Sequence, residues 1–212
     1  MTAPQKPDLS NLQPLRKNLT DPDPIKQFQN WYKEAQVIVP NLAEAVTLAT
    51  ASTQGRPSAR IVLLKHFDND GFIFFTDYRS QKGKELSENP RAAMVFHWRQ
   101  LQKQIRITGD IGRISPEESK IYFKTRPRGS QIAAHTSKQS QVLDNRAQLE
   151  KNYQSVSEQF REGEIPLPSQ WGGFRLNPSM IEFWQHRENR LHDRLLYSRK
   201  SKDGWLLQRL SP

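Results

Sequence analysis

The spacing of apolar positions changes period near Ala45. Before it, Ile25, Phe28, Trp31 and Tyr32 recur at helical spacing behind Asp23 and Pro24, so a helix capped by Asp23 is expected. After it the texture is that of strands. AVTLATAS (45–52) alternates loosely, QGRP turns, SARIVLLKHF (58–67) is a β-branched run, DNDG (68–71) signals a hairpin, and FIFFT (72–76) returns. SQKGKELSENP (80–90) reads as a short helix stopped before Pro90. AAMVFHW (92–98) and KQIRITGDIGRIS (103–115) read as two more strands, the second with glycines suited to a bulge. A capping box, Ser115 to Glu118 with Pro116 between, opens another helix, and an amphipathic helix is expected over 141–161. PLPSQWGGFRL then reads as a loop, followed by a meander of MIEFWQ, RLHDRLLYSR and GWLLQRL.

Six or seven strands joined mostly by hairpins, with helices between some of them, predict an α+β fold: an antiparallel β-barrel with peripheral helices. The βαβ alternation of a doubly wound sheet is absent, as are G-x-G-x-x-G and Walker A loops. Residues 1–22 carry prolines and polar groups without an apolar period and read as a flexible arm, leaving 23–212 as one domain.

Composition narrows the chemistry. The 212 residues contain no cysteine, which excludes disulfides, thiolate zinc sites and a cysteine nucleophile, and a cytoplasmic setting is the simplest expectation. Runs such as IVLL and FIFF are too short to cross a bilayer, and no leader segment is visible, so no membrane partner is expected. The net charge of +10 admits nucleic acid, but the cations are scattered rather than gathered. A few of them converging on small phosphorylated ligands is the other use of such a surplus. The five histidines show no metal-ligand spacing, and no G-x-S-x-G elbow is present.

Four clusters carry candidate chemistry, each with a plain structural reading beside it. Arg60 and Lys65 flank an apolar run with opposite parity, so a regular strand would aim them at two different anions; charged strand ends are the alternative. Tyr122 and Arg126 are four apart on a helix, with Ser130 after a Pro/Gly turn, a set suited to a phosphate monoester or to an ordinary surface pair. Gln139 and Ser140 would sit at the N-terminus of the long helix, as anion ligands or as a cap. Finally, RLHDR places Arg190, His192 and Arg194 at every second position near Trp184, one cationic row if the segment is a strand.

Together these motifs resemble the pyridoxine (pyridoxamine) 5′-phosphate oxidase family. The resemblance runs from about residue 45 to the end through RIVLLK (60–65), QIRITG (104–109), YFKTRPRGSQI (122–132), SKQS (137–140), P-x-x-WGGFR (168–175), IEFWQ (181–185) and RLHDR (190–194). It implies a split barrel working as a homodimer with FMN at the subunit interface. Arg60, Gln81, Lys82, Gln139 and Ser140 would hold FMN, along with the stretch Ile61, Val62, Leu63, Leu64 and Lys65 and the pair Phe75 and Thr76. Gln104, Trp184 and Arg194 would lie near its ring system. Lys65, Tyr122, Arg126 and Ser130 would grip the substrate phosphate, with Arg190 and His192 against the substrate ring as catalytic groups. The implied reaction turns pyridoxine or pyridoxamine 5′-phosphate into pyridoxal 5′-phosphate and reduces O2 to H2O2, with no metal. Three places depart from the family pattern: Gln81 replaces an arginine, Leu19 a tyrosine, and NLAEAV (41–46) an acidic-Pro-Asn/Thr-Ala-Met entry to the first strand. These departures keep another flavin split-barrel protein, such as a reductase or a flavin or pyridoxal phosphate binder, as the alternative.

Overall fold

A computed structural model describes residues 13–201 and 204–212; the first twelve residues of the expected arm and the tip of the last hairpin lie outside the described residues. Helix α1 (Pro24–Ile38) starts as its sequence dictates: Asp23 Oδ1 accepts the Ile25 N–H at 2.8 Å. Its apolar stripe buries Phe28, Trp31 and Ala35. The Phe28 ring meets Phe67, Phe72 and Phe96 edge-on at 4.8–5.2 Å, tying the helix to the sheet.

The sheet has nine strands: β1 (Ala45–Ala51), β2 (Pro57–Leu63), β3 (His66–Asp68), β4 (Gly71–Asp77), β5 (Arg91–Trp98), β6 (Lys103–Arg113), β7 (Trp171–Gln185), β8 (Asp193–Ser201) and β9 (Gly204–Arg209). Every pairing is antiparallel, in the order β2-β1-β5-β6-β7-β4-β3, with β8 joined to β7 and β9 to β8. The sheet curls until β2 approaches β4, and the Lys65 N–H bonds to Ile73 O at 2.9 Å, extending the β3–β4 ladder towards the end of β2. This is an α+β split barrel. Strand β7 serves two neighbours on one side: Trp171–Leu176 pair β4, and Met180–Gln185 pair β8. Helices α2 (Gln81–Glu88), α3 (Pro116–Thr125), α4 (Arg128–Thr136) and α5 (Arg146–Gln159) lie outside the sheet order. Among the described residues no helix is long and apolar enough to cross a membrane.

Several expectations are corrected. SARIVLLKHF is not one strand: β2 ends at Leu63, Leu64 turns into the core, and β3 begins at His66. WGGFRL is strand rather than loop. A Cβ on Gly172 would lie 2.0 Å from Tyr78 Oη and 2.9 Å from Ser119 Oγ, so the small residues serve close packing of α3 and the Tyr78 ring. Helix α4 replaces the expected simple turn before Ser130. Helix α5 starts at Arg146 with Asn145 as its cap, so Gln139 and Ser140 lie in the preceding turn, where Ser140 has φ 69°. RLHDR is not a strand throughout, because Asn189 (φ 55°) and Arg190 (φ 61°) occupy a left-handed reverse turn and β8 begins only at Asp193. Of residues 13–22, assigned to a flexible arm, Leu15 and Thr20 are buried, the Leu15 N–H bonds to Asp193 Oδ2, and Asp21 O accepts from Tyr197 Oη.

The β6–β7 register shifts between Thr108 and Gly109, where the chain passes Asn177 and Pro178. A Cβ on Gly109 would meet Asn177 O at 1.9 Å, whereas one on Gly112, three residues on, meets nothing. Gly109→Ala is therefore expected to destabilise the fold by about 1–3 kcal/mol through backbone displacement. Gly112→Ala should lose no more than a few tenths; thermal melts of the two variants distinguish them.

Candidate functional site

Strand β2, strand β4, the start of α2, the end of α3, α4 and the turn 137–140 enclose a cavity of about 920 Å³. Such a volume lies at the upper end of the roughly 300–1,000 Å³ typical of small-molecule sites. Most of the residues singled out in the sequence line it: Arg60, Ile61, Val62, Leu63, Lys65, Phe75, Thr76, Gln81, Lys82, Tyr122, Arg126, Ser130, Gln139 and Ser140. Leu64 does not, because its side chain is 2% exposed in the core. Arg60 and Lys65 share this one cavity despite their opposite parity, since the strand ends between them.

One end of the cavity is built around a buried lysine. Lys82, on the first turn of α2, donates to Gln139 Oε1 at 2.8 Å, Thr76 Oγ1 at 3.2 Å and Ser80 Oγ at 3.3 Å, all neutral acceptors. Burial, and then the neighbouring Arg60 guanidinium, lower its pKa from the usual 10.5 to about 8. Arg60 donates to Thr50 Oγ1 and Ser58 Oγ, each at 2.5 Å, and reaches Glu85 Oε2 at 3.3 Å. Burial alone would raise the Glu85 carboxyl, but hydrogen bonds from Ser58, Thr50, Gln81 and Arg60 outweigh it and hold the pKa at about 2. Glu85 is thus an ionised anchor that orients Arg60. Gln81 donates to its other oxygen at 2.9 Å, an i,i+4 contact on α2.

The other end is aromatic and cationic. Tyr122 stacks on Phe75 with centroids 3.9 Å apart, and Phe75 on Trp171 at 5.3 Å. The Arg126 guanidinium lies 4.5 Å from the centroid of the Trp171 ring, and its Nη1 is buried with no hydrogen-bond partner. Burial lowers the Arg126 pKa, with the Tyr122 hydroxyl acting in the opposite direction. A buried guanidinium nitrogen without an acceptor is costly unless an anion completes it. Ser130 on α4 and Lys65 face the same space.

The remaining five candidates lie elsewhere. Gln104, Trp184 and Arg194 are register partners across β6, β7 and β8 and form a row over the sheet. Arg194 Nε bonds to Glu182 Oε1 at 2.7 Å. The His192 ring sits 4.6 Å from Trp184, and its Nδ1 accepts the Arg187 N–H at 3.1 Å. That contact fixes the proton on Nε2, so His192 presents a donor. Burial, then His186 and Arg190, lower its pKa. Asp193 holds the turn together by accepting from Arg187 at 2.8 Å, Arg209 at 2.7 Å and the Leu15 N–H at 3.2 Å. Arg190 is exposed beside it and forms no ion pair among the described residues. None of these five lines the cavity, so one chain carries two separate halves of the expected site. Sequence reasoning missed Glu85, Trp171, Thr50 and Ser58; the i,i+4 spacing of Gln81 and Glu85 was the available signal for the first. No cluster of three or more metal-ligating side chains occurs among the described residues.

Comparison with known proteins gives this geometry a family. The description "Pyridoxamine 5′-phosphate oxidase" matches residues 33–160, and "Pyridoxine 5′-phosphate oxidase C-terminal dimerisation region" matches residues 171–212. A pyridoxine/pyridoxamine 5′-phosphate oxidase from Cyanothece sp. is 49% identical over 203 residues, covering 94% of this chain and 93% of the relative. One of the same name from Salinibacter ruber is 52% identical over 199 residues, covering 93% and 92%. Among solved structures, PhzG from Burkholderia lata in complex with tetrahydrophenazine-1-carboxylic acid superposes with a TM-score of 0.88 at 29% identity, covering 95% of this chain and 98% of that one. With both parts of the family pattern matched in order and such identity across nearly the whole length, the chain belongs to the pyridoxine/pyridoxamine 5′-phosphate oxidase family.

Proposed function

We propose that this protein is an FMN-dependent oxidase that converts pyridoxine or pyridoxamine 5′-phosphate to pyridoxal 5′-phosphate, working as a homodimer in the cytoplasm. The observation that carries the reading is the convergence of four cations on one cavity: Arg60 beside Lys82, and Lys65 and Arg126, whose Nη1 is buried without a hydrogen-bond partner. Four cations suit two phosphorylated ligands. The residues fit FMN: a buried lysine with only neutral acceptors and an arginine preset by Glu85 await a phosphate, while Gln139 and Ser140 border the same end. The lysine-plus-arginine set with Tyr122 and Ser130 suits the substrate phosphate.

The division of candidates supports a dimeric site. Trp171 in the cavity and Trp184 in the row stand at opposite ends of β7. Thirteen residue steps in a strand span about 40 Å, far beyond one flavin, so the two halves of one chain do not meet on a single ligand. A second copy would bring its own Gln104, Trp184 and Arg194 to the flavin ring, with Arg190 and His192 against the substrate. The match of residues 171–212 to a dimerisation region favours this assembly.

Bound FMN would supply the redox chemistry, taking a hydride from the 4′ carbon and returning the electrons to O2 as H2O2. The chain's own part is placement. Four phosphate ligands fix the substrate's position, and the aromatic slab of Tyr122, Phe75 and Trp171 gives that end of the cavity a rigid apolar wall. Arg190, without an ion pair among the described residues, would offer positive charge to the substrate ring. His192 donates through Nε2–H and does not accept a proton at Nδ1 while the Arg187 amide occupies it.

Three outcomes test the reading. The purified holoenzyme should be yellow and bleach when pyridoxine 5′-phosphate is added without oxygen; a preparation that binds no flavin defeats it. Arg190→Leu should cut turnover at least tenfold with flavin retained, and Arg126→Gln should raise KM at least tenfold with a smaller change in kcat; steady-state kinetics beside the flavin absorbance separate the two. Lys82 gives a pH signature. Between about pH 8 and 10.5 the unfolded chain binds the proton that the ligand-free fold has released, so ligand-free stability should rise with pH there. A phosphate dianion restores the charge, so FMN binding near pH 9 should take up a proton and weaken as pH rises. Calorimetry in buffers of different ionisation heat measures it, and Lys82→Met should abolish it.

A further inference from the structure

Lys65, which the proposed function assigns to the substrate phosphate, already has an anion. Glu44 Oε2 lies 2.8 Å from its Nζ. The backbone fixes this pairing: Ala45 stands opposite Leu63 in the β1–β2 ladder, and the Leu64 N–H bonds to Glu44 O at 2.8 Å. Glu44 and Lys65 therefore leave adjoining strand ends side by side. Glu44 belongs to the NLAEAV entry, one of the three places where the chain departs from its family's pattern. Its side chain is 35% exposed, and that of Lys65 is 24% exposed. The other titratable group facing it is Tyr32, whose pKa is raised by burial and then by the charge of Glu44. Arg126, which lines the same cavity, has no carboxylate partner among the described residues.

A phosphate oxygen at hydrogen-bond distance from Lys65 Nζ would lie within about 6 Å of the Glu44 carboxylate. At that range like charges repel appreciably even across a partly solvated rim, whereas the half-exposed ion pair itself contributes little to stability. We propose that Glu44 is a positioning residue that acts as an electrostatic counterweight on this subsite. It holds Lys65 extended along the cavity rim between turnovers, and it weakens the grip on phosphorylated vitamers, substrate and product alike, so that a product carrying the same phosphate is released. The inference rests on the reading of the cavity as a phosphate ester site.

The test uses the flavin-loaded enzyme and its Glu44→Gln, Glu44→Ala and Glu44→Asp variants. At low ionic strength, Glu44→Gln and Glu44→Ala should lower both the KM for pyridoxine 5′-phosphate and the inhibition constant of pyridoxal 5′-phosphate by about threefold or more. kcat should not rise, Glu44→Asp should keep the wild-type values, and the differences should shrink in high salt. Flavin content and melting temperature, measured in parallel, separate this from damage to the fold. A KM that stays the same or rises in both Glu44→Gln and Glu44→Ala, beside an active wild type, overturns the counterweight alone. A wild-type holoenzyme that turns over no phosphorylated vitamer overturns the underlying reading, and the counterweight with it.

Discussion

Strand β7 is the constraint on which the rest of the structure depends. Its fifteen residues pair β6 along most of their length, β4 over the first six and β8 over the last six. Among the described residues no other strand is hydrogen-bonded to three neighbours. One end places Trp171 under the Arg126 guanidinium, and the other places Trp184 between Gln104 and Arg194. Because a strand is stiff and extended, the two ends cannot fold onto one ligand. The residues proposed for the site are thereby divided between opposite ends of the subunit, and a twofold assembly is the simple way to reunite them.

The cavity is a place where the protein tolerates unfavourable charge before any ligand arrives. The Arg60 guanidinium lies close enough to Lys82 to oppose its protonation, and the charges of Asp77 and Glu85 offset this only in part, while Glu85 makes its direct ion pair with Arg60. An arginine at position 81 would have given Glu85 a second cation. Gln81 offers a neutral hydrogen bond instead, leaving Arg60 as the one ion partner of Glu85. Arg60 thus has the direct contact with Glu85, and the hydrogen-bond acceptors of Lys82 are all neutral. This is the electrostatic arrangement expected of a preorganised phosphate site, where the ligand's charge completes a set the fold leaves incomplete.

Much of this was legible in the sequence wherever a local rule decided the outcome. The Asp23 cap and the Ser115–Glu118 box are set by residues within one turn, and both form as read. The DNDG hairpin likewise joins β3 to β4. The unread parts depend on contacts made at a distance. Gly172 and Gly173 look like loop residues until Tyr78, Ser119 and Ile114 are seen to fill the space a side chain would need. The alternation in RLHDR suggests a strand, but Asn189 and Arg190 adopt left-handed angles and displace Arg190 from the row. The parity of Arg60 and Lys65 lost its meaning when Leu64 left the strand for the core. Fourteen of the residues picked out from motifs line one cavity, yet no pattern in one chain indicated that five of the candidates would stand apart from it.

Asp193 shows how a residue outside the ligand set can govern it. Flanked by His192 and Arg194, its carboxylate accepts from Arg187, Arg209 and the Leu15 amide, and these contacts, working against burial, hold its pKa below the usual range. Arg187, pinned in this way, aims its own N–H at His192 Nδ1 and so selects the imidazole tautomer. Arg209 in turn reaches Leu15 O at 2.7 Å, which ties the last strand and the N-terminal segment to the same carboxylate. The orientation of one ring is therefore set by residues from both ends of the chain. The described part of the N-terminal segment accordingly acts as a brace for the segment that carries Arg190 and His192, and the left-handed turn beside Asp193 leaves the Arg190 side chain without an ion pair among the described residues.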